Sequence, residues 1–360
     1  MTRRNSHDHR PVLITGGAGF VATNVAHRVL STTDRPVILF DNLSRPGVEQ
    51  NAAWLRRTHG KRVTLQLGDV RDREAVEKVV RQAGQVYHFA AQVAVTTSLV
   101  DPFLDFEVNA RGTLNLLEAV RACDDAPSVL FTSTNKVYGD LEDIGLRKSA
   151  TRYEPAAPAL RREGISEARC LEFHSPYGCS KGVAEQYVLD YARTFALRTV
   201  VFRMSCIYGP HQFGTEDQGW VAHFLIAAMN GVPLTIYGDG LQVRDILFVE
   251  DLAEAMLLAQ SNIDRLSGEA FNIGGGPANT TSLVELLDQI GELRGERPLA
   301  NIEAWRPADQ RYYVSNTRKF EQATGWRPRT SVREGVERLH EWLLATRGAA
   351  RPATAGRVAS

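Results

Sequence analysis

The sequence predicts an α/β fold, a doubly wound parallel sheet joined to a smaller, interleaved C-terminal domain. Three observations predict it. Short β-type runs alternate with helical stretches through the first half of the chain, as a parallel sheet with crossover helices requires. The first run, PVLITGG (11–17), ends in glycines and passes straight into a helical stretch. The later part is less regular and shows no clean linker, so its segments are expected to interleave with the end of the first domain.

The elements follow in order. PVLITGG is an apolar strand and FVATNVAHRVL (20–30) the helix after it. PVILFD (36–41), VTLQLGD (63–69) and QVYHFAA (85–91) are the second to fourth strands. A long helix covers about 102–122, and SVLFTST (128–134) is the fifth strand. In HSPYGCSK, Ser175 has the side chain of an N-cap and Pro176 suits the first helical position. A helix from 176 to about 196 follows, with Val183, Tyr187, Tyr191 and Phe195 at helical spacing. RTVVFRMS (198–205) is the sixth strand. GWVAHFLIAAMNG (219–231), SLVELLDQIGELRG (282–295) and SVREGVERLHEWLLAT (331–346) are helices of the later part.

Composition narrows the class. The chain has 360 residues and a formal net charge of zero, which gives no support for a nucleic-acid partner. Cys123, Cys170, Cys179 and Cys206 form no CxxC pair, so reduced thiols and a cytoplasmic location are expected. No apolar run approaches a membrane span, and MTRRNSHDHR has no apolar signal core. No His/Cys/carboxylate cluster has metal spacing, so no metal is expected.

A strand, a glycine turn and a helix at 12–30 form the Rossmann-type arrangement that holds a pyrophosphate against backbone N–H groups. Its glycines are Gly16, Gly17 and Gly19, with Ala22 where helix and strand approach. Asp41 ends the second strand, where a carboxylate accepts the adenosine ribose hydroxyls and repels a 2′-phosphate. NAD is therefore expected over NADP, although Arg45 stands nearby. Asp69, with Val70 beside it, is a candidate for the adenine amino group. At the other end, Tyr177 and Lys181 lie one turn apart on one helix face. An ammonium and a helix N-terminus both favour a phenolate; bringing a tyrosine from about 10 to about 7 takes roughly 4 kcal/mol, a demand that a second positive charge such as an oxidised nicotinamide helps to meet.

The chain resembles the extended short-chain dehydrogenase/reductase family, the nucleotide-sugar epimerases and dehydratases. TGGAGF (15–20), HFAAQ (88–92), NARGTLNLLEA (109–119), FTSTNKVYG (131–139), YGCSK (177–181), IYGP (207–210), VRDILFVEDLA (243–253) and FNIGGG (271–276) fall in the family's order. The resemblance implies a catalytic set of Thr134, Tyr177 and Lys181. Tyr177 is the acid/base, Thr134 holds the reacting hydroxyl, and Lys181 holds the nicotinamide ribose and lowers the tyrosine pKa. It also implies a tightly bound, recycled NAD contacted by Gly16, Gly19, Phe20, Val21, Asp41, Asn42, Asp69, Val70, Ala90, Ala91, Gln92, Asn109, Tyr177 and Lys181.

One departure narrows the reaction. The family's 4,6-dehydratases follow the threonine with Asp-Glu; here Asn135 and Lys136 stand there, which favours epimerisation. QVAVTTS (92–98), STNKVYGDL (133–141), LEFHSPYGCSKG (171–182), ARTFALRTVVFRMSCIYG (192–209) and DQGWVAHF (217–224) are most similar to the CDP-tyvelose (CDP-paratose) 2-epimerase group. That likeness alone implies C2 rather than C4. Met204, Cys206 and Gly214 depart from the group's pattern, which leaves the sugar open.

For a nucleotide-sugar, planar arginines suit the diphosphate, and by resemblance these are Arg244 and Arg306. Their alternative is an ion pair with Asp245 or Asp309. Gln92, Thr97, Ser98, Asn135, Gln218 and Trp220 are the remaining substrate candidates, while His174 is expected to orient or support. The helices around 102–122 and 176–196 pair into a four-helix bundle in the family, which implies a homodimer. The expected division gives 10–206 and 243–274 to the NAD-binding domain and 207–242 and 275–346 to the nucleotide-sugar-binding domain. Residues 1–9 are expected to be a flexible leader and 347–360 a flexible tail. The competing functions are a nucleotide-sugar 4-epimerase and a catalytically silent NAD-binding regulator.

Overall fold

The structure, a computed structural model, describes residues 9–306 and 308–349; most of the leader and the tail from residue 350 lie outside the described residues. Seven parallel strands form the main sheet. From one edge they run Glu269–Ile273, Thr199–Met204, Ser128–Thr134, Gln85–His88, Val12–Thr15, Val37–Asp41 and Val63–Leu67. Val12 and Ile14 point into one apolar cluster and Leu13 into another, so the sheet is covered on both faces. That is why central strands such as Val12–Thr15 and Val37–Asp41 read as continuous apolar runs, while the edge strand Val63–Leu67, VTLQL, alternates. The chain starts in the middle, winds to one edge, then returns to build the other. Strand order therefore reverses between Val12–Thr15 and Gln85–His88, and at the carboxyl ends of such a pair open α/β sheets bind their ligands.

The six expected strands form, and Glu269–Ile273 adds a seventh beside Thr199–Met204. Helices Val48–His59, Arg73–Val80 and Val249–Ser261 were not read from the sequence. The stretch expected as one helix at 102–122 is helix Pro102–Phe106, a wider π-type turn Glu107–Arg111 and helix Gly112–Arg121. The extra residue in such a turn re-aims side chains, and Asn109 is buried there.

A second core forms around Phe224, Leu225, Phe248, Leu287 and Leu339. Val243–Phe248 pairs with Cys206–Tyr208, Thr280–Ser282 and Tyr312–Tyr313. The chain thus rejoins the main sheet only after this strand, later than the boundary expected at 243. Helix Val332–Ala349 extends past the expected end at 346.

Candidate active site

The glycine turn is a place of close approach. Gly16 has φ 64, and a Cβ there would lie 2.8 Å from the Ala90 nitrogen; one on Gly17 would lie 2.6 Å from the Leu39 Cα. Helix Phe20–Thr32 starts at Gly19 with no side-chain cap and no acid in its first turn. Its first N–H groups, at Phe20 and Val21, thus suit an anion. Asp41 is held by two backbone N–H groups, Ala18 at 3.0 Å and Leu43 at 2.7 Å. This cradle fits the pyrophosphate and ribose of NAD.

Farther out, Asn42 donates to Asp69 at 2.9 Å, and Arg71 grips Asp69 through Nε at 2.9 Å and Nη2 at 2.7 Å. The Arg71 bonds hold the Asp69 carboxyl down at about 2. Val70 is buried against Gly112. Ala90 and Ala91 follow the fourth strand half-buried, and the Ala90 N–H donates to Thr15 Oγ1. A buried chain from Thr15 through His88 to Thr113, 2.6 and 3.0 Å, supports this edge and was not read from the sequence.

Thr134 ends the fifth strand, and Tyr177 and Lys181 reach it from helix Ser175–Phe195. Ser175 has φ 69, so it acts as the cap, its Oγ accepting the Gly178 N–H at 3.2 Å. Ser98, expected to touch substrate, accepts the Tyr177 N–H at 3.2 Å and fixes the start of this helix. Thr134, Tyr177 and Lys181 are all buried, and the Lys181 ammonium sits 4.2 Å over the Phe131 ring.

The electrostatics correct one expectation. Burial pushes the Tyr177 phenol up to about 12; the Thr134 hydroxyl pulls it back in part, and Asp105 raises it further. Lys181 was expected to bring the phenol down, but burial brings the lysine itself to about 7, against the pull of Asp105 and Glu185. Loss of water outweighs the Thr134 hydrogen bond, so the fold by itself keeps Tyr177 a phenol.

The other substrate candidates divide. Arg244 is buried and paired with Asp309 at 2.7 Å, the ion pair that was the alternative reading, while Asp245 is taken by Ser205, Ser315 and the Gly276 N–H. Arg306 pairs with Glu216 at 3.2 Å and stacks 3.8 Å over Tyr237. Asn135 donates to Gln310 at 2.9 Å and Lys136 to the Ala308 carbonyl at 2.9 Å, so both tie the strand end to the loop that follows Arg306. Gln92 is turned inward, donating to Asp105 at 2.8 Å. Thr97 does not make the cross-cleft bond; its neighbour Thr96 donates to Asp217 at 3.0 Å. Gln218 forms a backbone turn with Thr215, and Trp220 packs edge-on to Phe224 in the second core. His174 is exposed at the helix start and meets Asp140 at 2.5 Å.

The NAD dependent epimerase/dehydratase family model matches residues 12–274. The CDP-paratose 2-epimerase of Salmonella typhi is 43% identical, covering 92% of this chain and 98% of that protein. The dTDP-glucose 4,6-dehydratase 1 of Escherichia coli (strain K12) is 30% identical, covering 93% and 92%. The solved UDP-glucose 4-epimerase of Thermus thermophilus, in complex with NAD, is similar with a TM-score of 0.77 at 32% identity, covering 94% of this chain and 100% of that one. With its glycine cradle, Asp41 and the Thr134–Tyr177–Lys181 cluster at one cleft, this chain belongs to the NAD-dependent epimerase/dehydratase family.

Proposed function

We propose that the protein inverts C2 of the hexose of a CDP-sugar, using an NAD that stays bound and is recycled. The observation that carries this reading is the buried convergence of Thr134, Tyr177 and Lys181 beside the glycine cradle, in a chain 43% identical to a CDP-paratose 2-epimerase. NAD supplies the site that accepts and returns a hydride. Tyr177 takes the proton of the sugar hydroxyl and gives one back to the ketone. Thr134 holds that oxygen in line, and Lys181 holds the cofactor ribose. Because burial raises Tyr177, the charge of the oxidised cofactor is what makes its deprotonation accessible. Arg244 and Arg306 exchange Asp309 and Glu216 for the diphosphate. The presence of Asn135 and Lys136 in place of an acid/base pair, and their use as loop anchors, supports epimerisation over water elimination.

The same reading includes a cytoplasmic homodimer. Phe103 is 83% exposed, and Phe106, Tyr187 and Phe195 add to an apolar surface on the two helical segments that would form the bundle, with Leu99 and Val100 beside it on the preceding short helix Val95–Val100. It also keeps 10–206 and 243–274 as the NAD-binding domain, with strand 243–248 contributed to the smaller sheet. A 4-epimerase is the second reading, favoured by the likeness to the Thermus thermophilus structure.

The test is incubation of the purified protein, without added cofactor, with CDP-, GDP- and UDP-hexoses in D₂O, following the sugar protons by NMR. Inversion at C2 with the proton retained is expected. Inversion at C4 would replace this reading with the second, and bound NAD without turnover of any sugar nucleotide, CDP-paratose included, would reject both.

A further inference from the structure

Lys181 is a buried ammonium with no ion-pair partner among the described residues; its close contact is the Phe131 ring. Two buried carboxylates act on it, Asp105 and Glu185. Glu185, one turn along the same helix, is already neutralised by Arg203 through Nε at 2.9 Å and Nη2 at 2.5 Å. Asp105, on Pro102–Phe106, has no ion-pair partner among the described residues and is buried. Its Oδ1 accepts Gln92 Nε2 at 2.8 Å and Asn109 Nδ2 at 3.1 Å, and its Oδ2 has no hydrogen-bond partner. Burial pushes the Asp105 carboxyl up, and Ser180, Gln92 and the Lys181 ammonium pull it back toward the ionised form that N–H donors suit. A buried carboxylate with a bare oxygen is costly, and a nearby uncompensated ammonium is what offsets it.

We propose that Asp105 is a positioning residue for the reaction: its carboxylate keeps Lys181 in the ammonium form and, through Asn109 and Ser180, holds the Tyr177–Lys181 turn in register with the fourth strand. This rests on the role given to Lys181 above. The physical link is continuous. Asn109 Nδ2 reaches Asp105 and also Ser180 Oγ at 3.0 Å, Ser180 Oγ donates to the Tyr177 carbonyl at 3.2 Å, and Asn109 Oδ1 accepts the Gln92 N–H at 2.9 Å. The other charged or titratable groups around the pair are Tyr177 and Glu185 on the same helix, His88 on the fourth strand and Arg203 on the sixth. His88 is held neutral, pushed down to about 3 by burial and by Lys181. Glu107 and Arg111 on the following turn pair with each other at 2.7 Å. Asp105 is therefore the one buried negative charge near Lys181 that no cation cancels, among the described residues. Asn109 was expected to touch the cofactor and Gln92 both cofactor and substrate; their side chains instead serve this carboxylate.

The test follows Lys181 by NMR of the ¹³C,¹⁵N-lysine-labelled holoenzyme, in the wild type and in Asp105→Asn. The variant keeps the shape and loses the charge. Its Lys181 midpoint is expected to fall by about one pH unit, with the alkaline limb of kcat moving down by the same amount. A folded variant with an unmoved midpoint, or with lower kcat and an unshifted profile, would overturn the proposal. Coupling is reciprocal, so Lys181→Met, read through the Asp105 carboxyl carbon, must raise the Asp105 midpoint by a similar amount. An unmoved Asp105 would overturn the proposal even where Asp105→Asn does not fold. The titrations are read without turnover, so a coupled pair in a protein inactive on every sugar nucleotide would count against the proposed function and leave this inference standing.

Discussion

Replacing Lys181 with methionine should stabilise the protein while removing its activity, and the gain should depend on pH. Burial lowers the Lys181 pKa from 10.5 to about 7. The sign follows from proton counts. Between about 7 and 10.5 the unfolded chain holds the lysine proton and the folded chain does not, so stability rises with pH across that window. Below about 7 both states are charged and the folded one carries the whole penalty. A shift of 3.5 units (10.5 minus 7) corresponds to about 5 kcal/mol. Methionine fills similar space without the charge, and the shift already contains the attraction of Asp105 that is lost with it, so Lys181→Met gains at most about 5 kcal/mol near pH 6 and little near pH 10.5. At a slope of about 3 kcal/mol per M, the urea midpoint rises by about 1.5 M near pH 6. Unfolding is followed by tryptophan fluorescence on NAD-free wild type and variant at about pH 6, 8 and 10, which bracket the window. A variant no more stable at the acid end, or an advantage that persists unchanged at the alkaline end, would refute the reasoning.

Other outcomes follow from single contacts. Tyr177→Phe should retain bound NAD by absorbance and lose about 10²–10⁴-fold in turnover; near-wild-type turnover would remove Tyr177 from the acid/base role. Arg203→Met leaves Glu185 buried and unpaired, at a cost of about 3–5 kcal/mol measured by denaturation, and a loss below about 1 kcal/mol would show that the pair is solvated. Phe103→Asp, on the 83% exposed apolar surface, should convert a dimer to a monomer by light scattering; a wild type already monomeric at every concentration rejects the dimer.

What was legible in the sequence was whatever local pattern encodes. Strands such as VLIT and VILFD, apolar on both faces, announce a covered parallel sheet, and the glycines at 16, 17 and 19 announce a tight turn. Ser175 and Pro176 marked the start of the helix that carries Tyr177, and the Tyr-Lys spacing placed both on one face. Elements whose evidence is tertiary were missed. Glu269–Ile273 becomes a strand by pairing with Thr199–Met204, and Tyr312–Tyr313 is two residues long.

The site divides in the same way. Sequence determined the glycine turn, the acid at the second strand end and the Tyr–Lys spacing, because backbone geometry and helical periodicity are local properties; Thr134 joined them only through the family resemblance. Only the tertiary structure decided what surrounds them. It turned Gln92 and Asn109 toward Asp105, put Thr96 rather than Thr97 across from Asp217, and closed Arg244 on Asp309. It also buried Tyr177, and the desolvation that follows depends on how many atoms from distant segments exclude water, a number no spacing along the chain records.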